Sequence, residues 1–95
     1  MLIGLAKLDL FFSEVHSLKE KRNLLRTVKE KTSQTFKIPI AEVGHQDLWQ
    51  RAQIGFAIVG SDRALVQSLG EQVIDFIEKM DLGSLTEKAF ELIDF

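Results

Sequence analysis

The chain has 95 residues, of which 45% are hydrophobic and 27% charged, with a formal net charge of −2 and no cysteine. These values are ordinary for one folded domain, which we assign to residues 1–95. The absence of cysteine excludes disulfide bonds, thiolate metal sites and a cysteine nucleophile.

The charges are distributed unevenly along the chain. Residues 17–37 contain seven Lys and Arg residues against two acidic ones, whereas residues 38–95 contain four basic and ten acidic residues. This separation of charge indicates an interaction surface, although it does not bear on the fold.

Residues 2–12 alternate in the way that a half-buried β-strand does. Lys7 and Asp9 lie on one face, so the opposite face is predicted to meet the core. That core face consists of Leu2, Gly4, Ala6, Leu8 and Leu10. The two charges also interrupt the first apolar stretch, which has neither a basic leader nor a small-residue cleavage site. We therefore predict no signal peptide, no membrane span and a cytoplasmic location.

The first helix is predicted to begin at Ser17. Ser17 and Glu20 form the pattern S-x-x-E, in which the hydroxyl and the carboxylate each satisfy an otherwise unpaired backbone amide. The apolar side of this helix consists of Leu18, Leu24, Leu25, Val28 and Phe36. Pro39 ends any helical continuation, and the extended segment "PIAEVG" follows it.

The loop "HQDLWQR" leads to "QIGFAIVG", whose apolar, β-branched and aromatic residues predict a central strand. Ser61 or Asp62 is predicted to cap a second helix, and Gly70 lies inside this helix at a propensity cost of about 1 kcal/mol. The apolar stripe of that helix consists of Leu65, Val66, Leu69, Val73, Phe76, Ile77 and Met80. Gly83 ends the helix, and "TEKAFELIDF" is predicted to form the last strand.

The predicted order of elements is therefore β-α-β-β-α-β. With right-handed crossovers, this order gives a ferredoxin-like α+β sandwich. Its four strands form one antiparallel sheet, and both helices cover the same face of that sheet.

The uncovered face of the predicted sheet is also apolar, because Ile3, Leu5 and Phe11 share one side of the first strand and both sides of "QIGFAIVG" are apolar. An exposed apolar face usually marks an interaction site. A homodimer packed through the sheets is one interpretation. Stacking of single-stranded bases is another, because "IGFAIV" distantly resembles a strand of the RNA-recognition motif.

The first helix is the candidate site for nucleic acid or another anion. At about 100° per residue, four of its cations fall on one flank with spacings of 3, 4 and 3: Lys19, Arg22, Arg26 and Lys29. Lys21 lands on the apolar side near the helix start, where its stem covers core residues and its ammonium reaches past the end. Ser17, Lys19, Lys21 and Arg22 surround free backbone amides, a combination that suits a phosphate group.

A solvated helix face is the alternative explanation of these cations. Lys and Arg are good helix formers and commonly coat exposed helix surfaces. Glu30 is also placed to pair with Arg26 across one turn, a contact worth only about 0.2–0.5 kcal/mol.

The loop before the central strand carries the remaining polar candidates. His45 and Asp47 resemble a base with its orienting carboxylate, and Glu42 is a possible third metal ligand, but no nucleophile or recognised ligand spacing accompanies them. Trp49 either closes the core beneath the loop or anchors a partner. We predict no catalytic residue, no metal ion and no cofactor, and we regard His45, Asp47, Trp49 and Arg51 as candidates for partner contact.

Two segments of this chain resemble a known family. S-L-K-E-K-R, which opens the first helix, and Q-D-L-W-Q-R-A, which precedes the central strand, are together similar to the YlxP-like family of small bacterial proteins. The resemblance covers almost the full length. It implies the ferredoxin-like fold, a cytoplasmic bacterial protein and, through neighbouring transcription- and translation-factor genes, an association with RNA or ribosome metabolism. It implies no catalytic residue.

From these observations we expect a non-catalytic binding module, in homodimeric form, that contacts RNA or a ribonucleoprotein through the basic helix. A protein–protein assembly module that uses the apolar sheet face is the first alternative. A small-ligand sensor or an uncharacterised enzyme built on the His45 and Asp47 loop is the second.

Overall fold

The structure is a computed structural model that describes residues 1–95. It contains four strands and two helices in the predicted order. Their bounds are β1 Leu2–Phe11, α1 Leu18–Phe36, β2 Ile40–Gly44, β3 Arg51–Gly60, α2 Arg63–Met80 and β4 Ser84–Asp94.

The strands form a single sheet in the order β2-β3-β1-β4, and every neighbouring pair is antiparallel. This arrangement confirms the predicted ferredoxin-like α+β fold. β3 begins two residues earlier than predicted because Arg51 and Ala52 pair with the end of β1. β4 likewise begins at Ser84, since a bulge between Asp9 and Leu10 lets Leu85 pair with Leu10.

The core lies between the helices and one face of the sheet. The predicted core face of β1 is buried, and β3 contributes Ile54, Phe56 and Ile58 to the same layer. In α2 the interior face includes Val66, Val73, Ile74 and Ile77. Leu65 was predicted in that stripe, but it is exposed because the buried side of α2 is centred on Val66 and Val73.

Gly70 has a packing role that its helix propensity conceals. A Cβ built on Gly70 would overlap the ring of Phe90 on β4, and a Cβ on Gly4 of β1 would lie 2.8 Å from the same ring. The ring therefore occupies a slot that exists because α2 and β1 each lack a side chain there. Glycine lowers the helix propensity of α2 at this position, but it allows α2 to pack closely on the sheet.

The two edges of the sheet differ in length. β2 has five residues, whereas β4 has eleven and pairs only with β1. The outer edge of β4 is consequently open along its length, and the strand carries Glu87, Lys88, Glu91 and Asp94. Neither helix is long and apolar enough to span a membrane.

Candidate nucleic-acid interface

The start of α1 has the cap that the sequence predicts. The Ser17 hydroxyl accepts a hydrogen bond from the Glu20 amide at 3.1 Å, and a Glu20 carboxylate oxygen accepts one from the His16 amide at 3.2 Å. The Ser17 side chain is thus engaged in capping the helix. The cap fixes where α1 begins and so fixes the direction of the cations that follow.

Four cations line one flank of α1, and we call them the basic ridge: Lys19, Arg22, Arg26 and Lys29. The first three are exposed and Lys29 is half-buried. None of the four lies within 4.0 Å of a carboxylate oxygen, so the pair between Arg26 and Glu30 is absent. No ion pair within the protein therefore engages the cations of the ridge.

Lys21 does not belong to this surface. Its side chain has 0% exposure, and its Nζ donates to the carbonyl oxygens of His45 at 2.9 Å, Gln46 at 3.3 Å and Arg51 at 3.1 Å. We therefore correct the prediction that Lys21 contacts a phosphate group. Its position on the apolar side of α1 was predicted, but the ammonium ends inside the protein instead of beyond the helix.

Glu42 completes the surroundings of this ammonium. Its Oε2 lies 3.1 Å from Lys21 Nζ, although it accepts no well-aligned hydrogen bond. An ammonium has three hydrogens, and here the three carbonyls take them, so Glu42 contributes by charge attraction. We call this arrangement the Lys21 cage: Lys21 Nζ with the carbonyl oxygens of His45, Gln46 and Arg51 and the Glu42 carboxylate.

The cage holds the loop between β2 and β3 against the first turns of α1. His45 adopts a left-handed conformation with φ of 57°, and its carbonyl oxygen also accepts from the Leu48 amide at 3.1 Å, which closes a turn. At the other end of the loop, the Gln50 side chain donates to the carbonyl oxygens of Ser13 and Val15. The loop backbone is thus fixed on both sides of Trp49.

The predicted partner-contact residues all lie on or beside this loop. The side chains of His45 and Asp47 are exposed, and no hydrogen bond joins them. The Arg51 guanidinium lies 5.3 Å from the centre of the Phe11 ring, the geometry of a cation–π contact. No group of three or more His, Asp or Glu side chains comes together in a way that could hold a metal ion.

Trp49 is exposed to 49%, and its neighbour Leu48 to 46%. The explanation in which Trp49 closes the core is therefore wrong, and the indole remains available to a partner. Phe56 shows the opposite outcome, because it faces the helices with 5% exposure. The aromatic ring of the segment that resembles an RNA-recognition strand is thus unavailable for stacking.

The sheet face away from the helices is open and apolar, as the sequence predicts. Its exposed large aliphatic side chains are Leu5, Val43, Val59 and Ile93. A shallow groove of about 550 Å³ crosses its centre, where small residues Ala41, Gly55, Ala57 and Ala89 leave space between strands. Lys7 and Glu91 also line this groove, and neither belongs to an ion pair.

Sequence reasoning missed the role of two residues that build the site. Nothing in the spacing of Glu42 or Gln50 indicates that their side chains would fix the β2–β3 loop. The signal for Lys21 was its place on the apolar side of α1, since a lysine there needs an internal partner or an exit to solvent.

The order of elements and the single antiparallel sheet define a ferredoxin-like α+β protein. Residues 3–89 match the family described as "Protein of unknown function (DUF503)", and the chain belongs to that family. It is 35% identical over 77 residues to the uncharacterized protein YlxP of Bacillus subtilis (strain 168), with 81% of this chain and 84% of that protein covered. The predicted family is therefore confirmed.

A solved structure described as "Structural Genomics, protein YJCS" has a similar fold. It superimposes with a TM-score of 0.59 over 97% of this chain and 99% of that one, at 9% sequence identity. At that identity the likeness concerns the fold alone.

Proposed function

We propose that this protein is a non-catalytic binding module of the cytoplasm that contacts RNA or a ribonucleoprotein through the basic ridge. The carrying observation is that the four cations of the ridge share one flank of α1 and have no carboxylate partner within 4.0 Å. Cations in a row that form no ion pair within the protein are free to contact a phosphate backbone.

The position of the ridge on α1 supports this proposal. Lys19 lies in the first turn, where the helix dipole disfavours a cation by about 0.3–1 kcal/mol. Glu20, in the same turn, offsets part of this cost. A bound phosphate near Lys19 and Arg22 would turn the unfavourable arrangement into a favourable one, since backbone dipoles and cations would then face the same anion.

The test is reversal of the two central charges of the ridge. Backbone contact by about four cations predicts that log K falls with log salt concentration with a slope of about −3. We expect the double variant Arg22→Glu/Arg26→Glu to bind labelled RNA at least about tenfold more weakly, with the slope roughly halved. Fluorescence anisotropy at several salt concentrations measures both quantities.

The matched control is Lys31→Glu/Arg63→Glu. Lys31 lies on the other flank of α1 and Arg63 begins α2, and both are exposed. The two double variants have the same net charge, so a local contact weakens only the first. Equal RNA binding by wild type and the ridge variant would refute the proposal, as would equal loss in both variants.

The open sheet face supports a second candidate function, assembly with a second copy of this chain. Lys7 and Glu91 lie in the central groove without ion-pair partners. A two-fold axis that passes between these two side chains would place Lys7 of each copy opposite Glu91 of the other, a reciprocal pair of the kind that an isologous interface contains. The exposed aliphatic side chains of the face would be buried in the same contact.

The size of this face indicates a weak dimer. Three strands have ten or eleven residues and β2 has five, so a rise of about 3.3 Å per residue and a strand spacing of about 4.8 Å give about 570 Å². A standard stable interface buries about 800 Å² per partner. The association is therefore expected to depend on concentration within an accessible range.

Sedimentation velocity at several protein concentrations tests the dimer. We expect the wild type to shift from monomer to dimer with concentration, and Leu5→Glu to remain a monomer because it places a charge at the centre of the face. Leu65→Glu is the control, since Leu65 is an exposed leucine on α2, away from the sheet face. A wild type that stays monomeric throughout would exclude this assembly.

A further inference from the structure

Trp49 is an exposed aromatic side chain on an anchored backbone. The cage ties the carbonyl oxygens of His45, Gln46 and Arg51 to one ammonium, and Gln50 is bound to the loop that precedes α1. Hydrogen bonds therefore hold the backbone on both sides of the exposed indole. An aromatic side chain has few rotatable bonds, so a partner that stacks on one carried by an anchored backbone orders little additional structure.

The Lys21 cage also holds the loop that carries this aromatic group against the first turns of α1, where the basic ridge begins. Lys21 belongs to the first turns of α1, directly before Arg22, and its Nζ contacts the loop carbonyls at 2.9–3.3 Å. The loop that carries Trp49 is therefore within one lysine side chain of the helix end where the ridge begins. The buried Lys21 thus connects the loop that carries Trp49 to the helix that carries the basic ridge.

A row of cations and an exposed aromatic ring, on a helix start and the loop held against it, suit one class of ligand. In proteins that bind single strands, cations follow the phosphate backbone while bases stack on aromatic side chains. A duplex offers the same phosphates, but its bases are paired and stacked within the helix and are not free to stack on an indole. Asp47 lies two residues before Trp49 and is exposed. Its negative charge makes binding of an anion at the loop by charge attraction alone less favourable than stacking of a base on the indole.

We propose that Trp49 is a stacking site for an unpaired base of single-stranded RNA whose backbone follows the basic ridge. This inference rests on the proposed function and specifies its ligand class. It gives Lys21 the role of a positioning residue, which holds the stacking site at the end of the ridge without touching the RNA.

The chain provides its own probe for this contact. Trp49 is the only tryptophan and there is no tyrosine, so the intrinsic tryptophan emission reports on this one side chain. Titration with single-stranded oligouridylate is expected to quench the emission, because a stacked base contacts the indole directly. A duplex of the same length is expected to bind about tenfold more weakly at equal salt and to leave the emission unchanged.

Substitutions separate stacking from charge. We expect Trp49→Ala to weaken oligouridylate binding about tenfold, with an unchanged salt slope because no charge is altered. Trp49→Phe retains an aromatic face and should recover most of the affinity. Leu48→Ala is the matched control, since it shortens an equally exposed apolar side chain in the same loop.

The outcomes distinguish this inference from the function on which it rests. Ridge-dependent RNA binding with no quenching, or with Trp49→Ala equal to wild type, would overturn the stacking site and leave the ridge proposal intact. No RNA binding by the wild type would overturn both. Emission that changes with protein concentration alone would assign Trp49 to a protein interface and overturn the stacking site.

Discussion

Replacing Lys21 by methionine is expected to lower the free energy of unfolding by about 3–5 kcal/mol, which is a large part of the stability of a small domain. Methionine fills most of the same space, so the loss comes from the oxygens that it leaves behind. Three carbonyls lose a donor, and the Glu42 carboxylate, with its side chain 19% exposed, loses its counter-charge. Urea unfolding followed by far-ultraviolet circular dichroism measures the change.

Lys19→Met is the matched control for this prediction. Lys19 lies two residues earlier on the same helix and is exposed, so its replacement should change stability by no more than about 0.5 kcal/mol. Adding Glu42→Leu to Lys21→Met removes the unpaired carboxylate and should recover part of the loss. A Lys21→Met variant as stable as the Lys19→Met variant would show that the cage contributes nothing.

Replacing Gly70 by valine is the second change with a large expected effect, a loss of about 3 kcal/mol or more. By helix propensity alone the change would be neutral or slightly favourable. The structure predicts the opposite sign, because even a Cβ at this position overlaps the Phe90 ring. Thermal unfolding of the purified variant measures the loss.

Two further variants test the physical reason for that loss. Ala64→Val adds similar bulk to an exposed position of α2 and should cost less than about 1 kcal/mol. Gly70→Val combined with Phe90→Leu gives the new side chain room and should be more stable than Gly70→Val alone. Equal shifts of the melting temperature in Gly70→Val and Ala64→Val would show that the Phe90 ring does not restrict the side chain at position 70.

The sequence predicts most of the fold because its signals are local. The alternation in β1, the capping box at Ser17 and the spacing of apolar residues in α2 each depend on neighbouring positions in the chain. The predictions err where a residue distant in sequence determines the local structure. At the start of β4, for example, pairing with Leu10 sets the register. Leu65 fits the helical period yet is exposed, since only the packing of α2 on the sheet determines where its buried side ends.

The candidate site is less predictable for the same reason. The four cations of the ridge follow from helical spacing alone, and the structure places them together on one flank. The fate of Lys21 depends on carbonyl groups 24 to 30 residues away, which no local pattern indicates. The sequence leaves Trp49 with two alternatives, a place in the core or contact with a partner, and its exposure in the fold excludes the first.

The open outer edge of β4 has a consequence for how this protein can polymerise. An eleven-residue strand with one unpaired edge is a template on which another chain can extend the sheet. The charges of Glu87, Lys88, Glu91 and Asp94 oppose such growth by repulsion and by the cost of desolvating them. Replacing these side chains by uncharged β-forming residues would leave the same edge as an unprotected template, so solubility at high concentration depends on four side chains that make no contribution to the core.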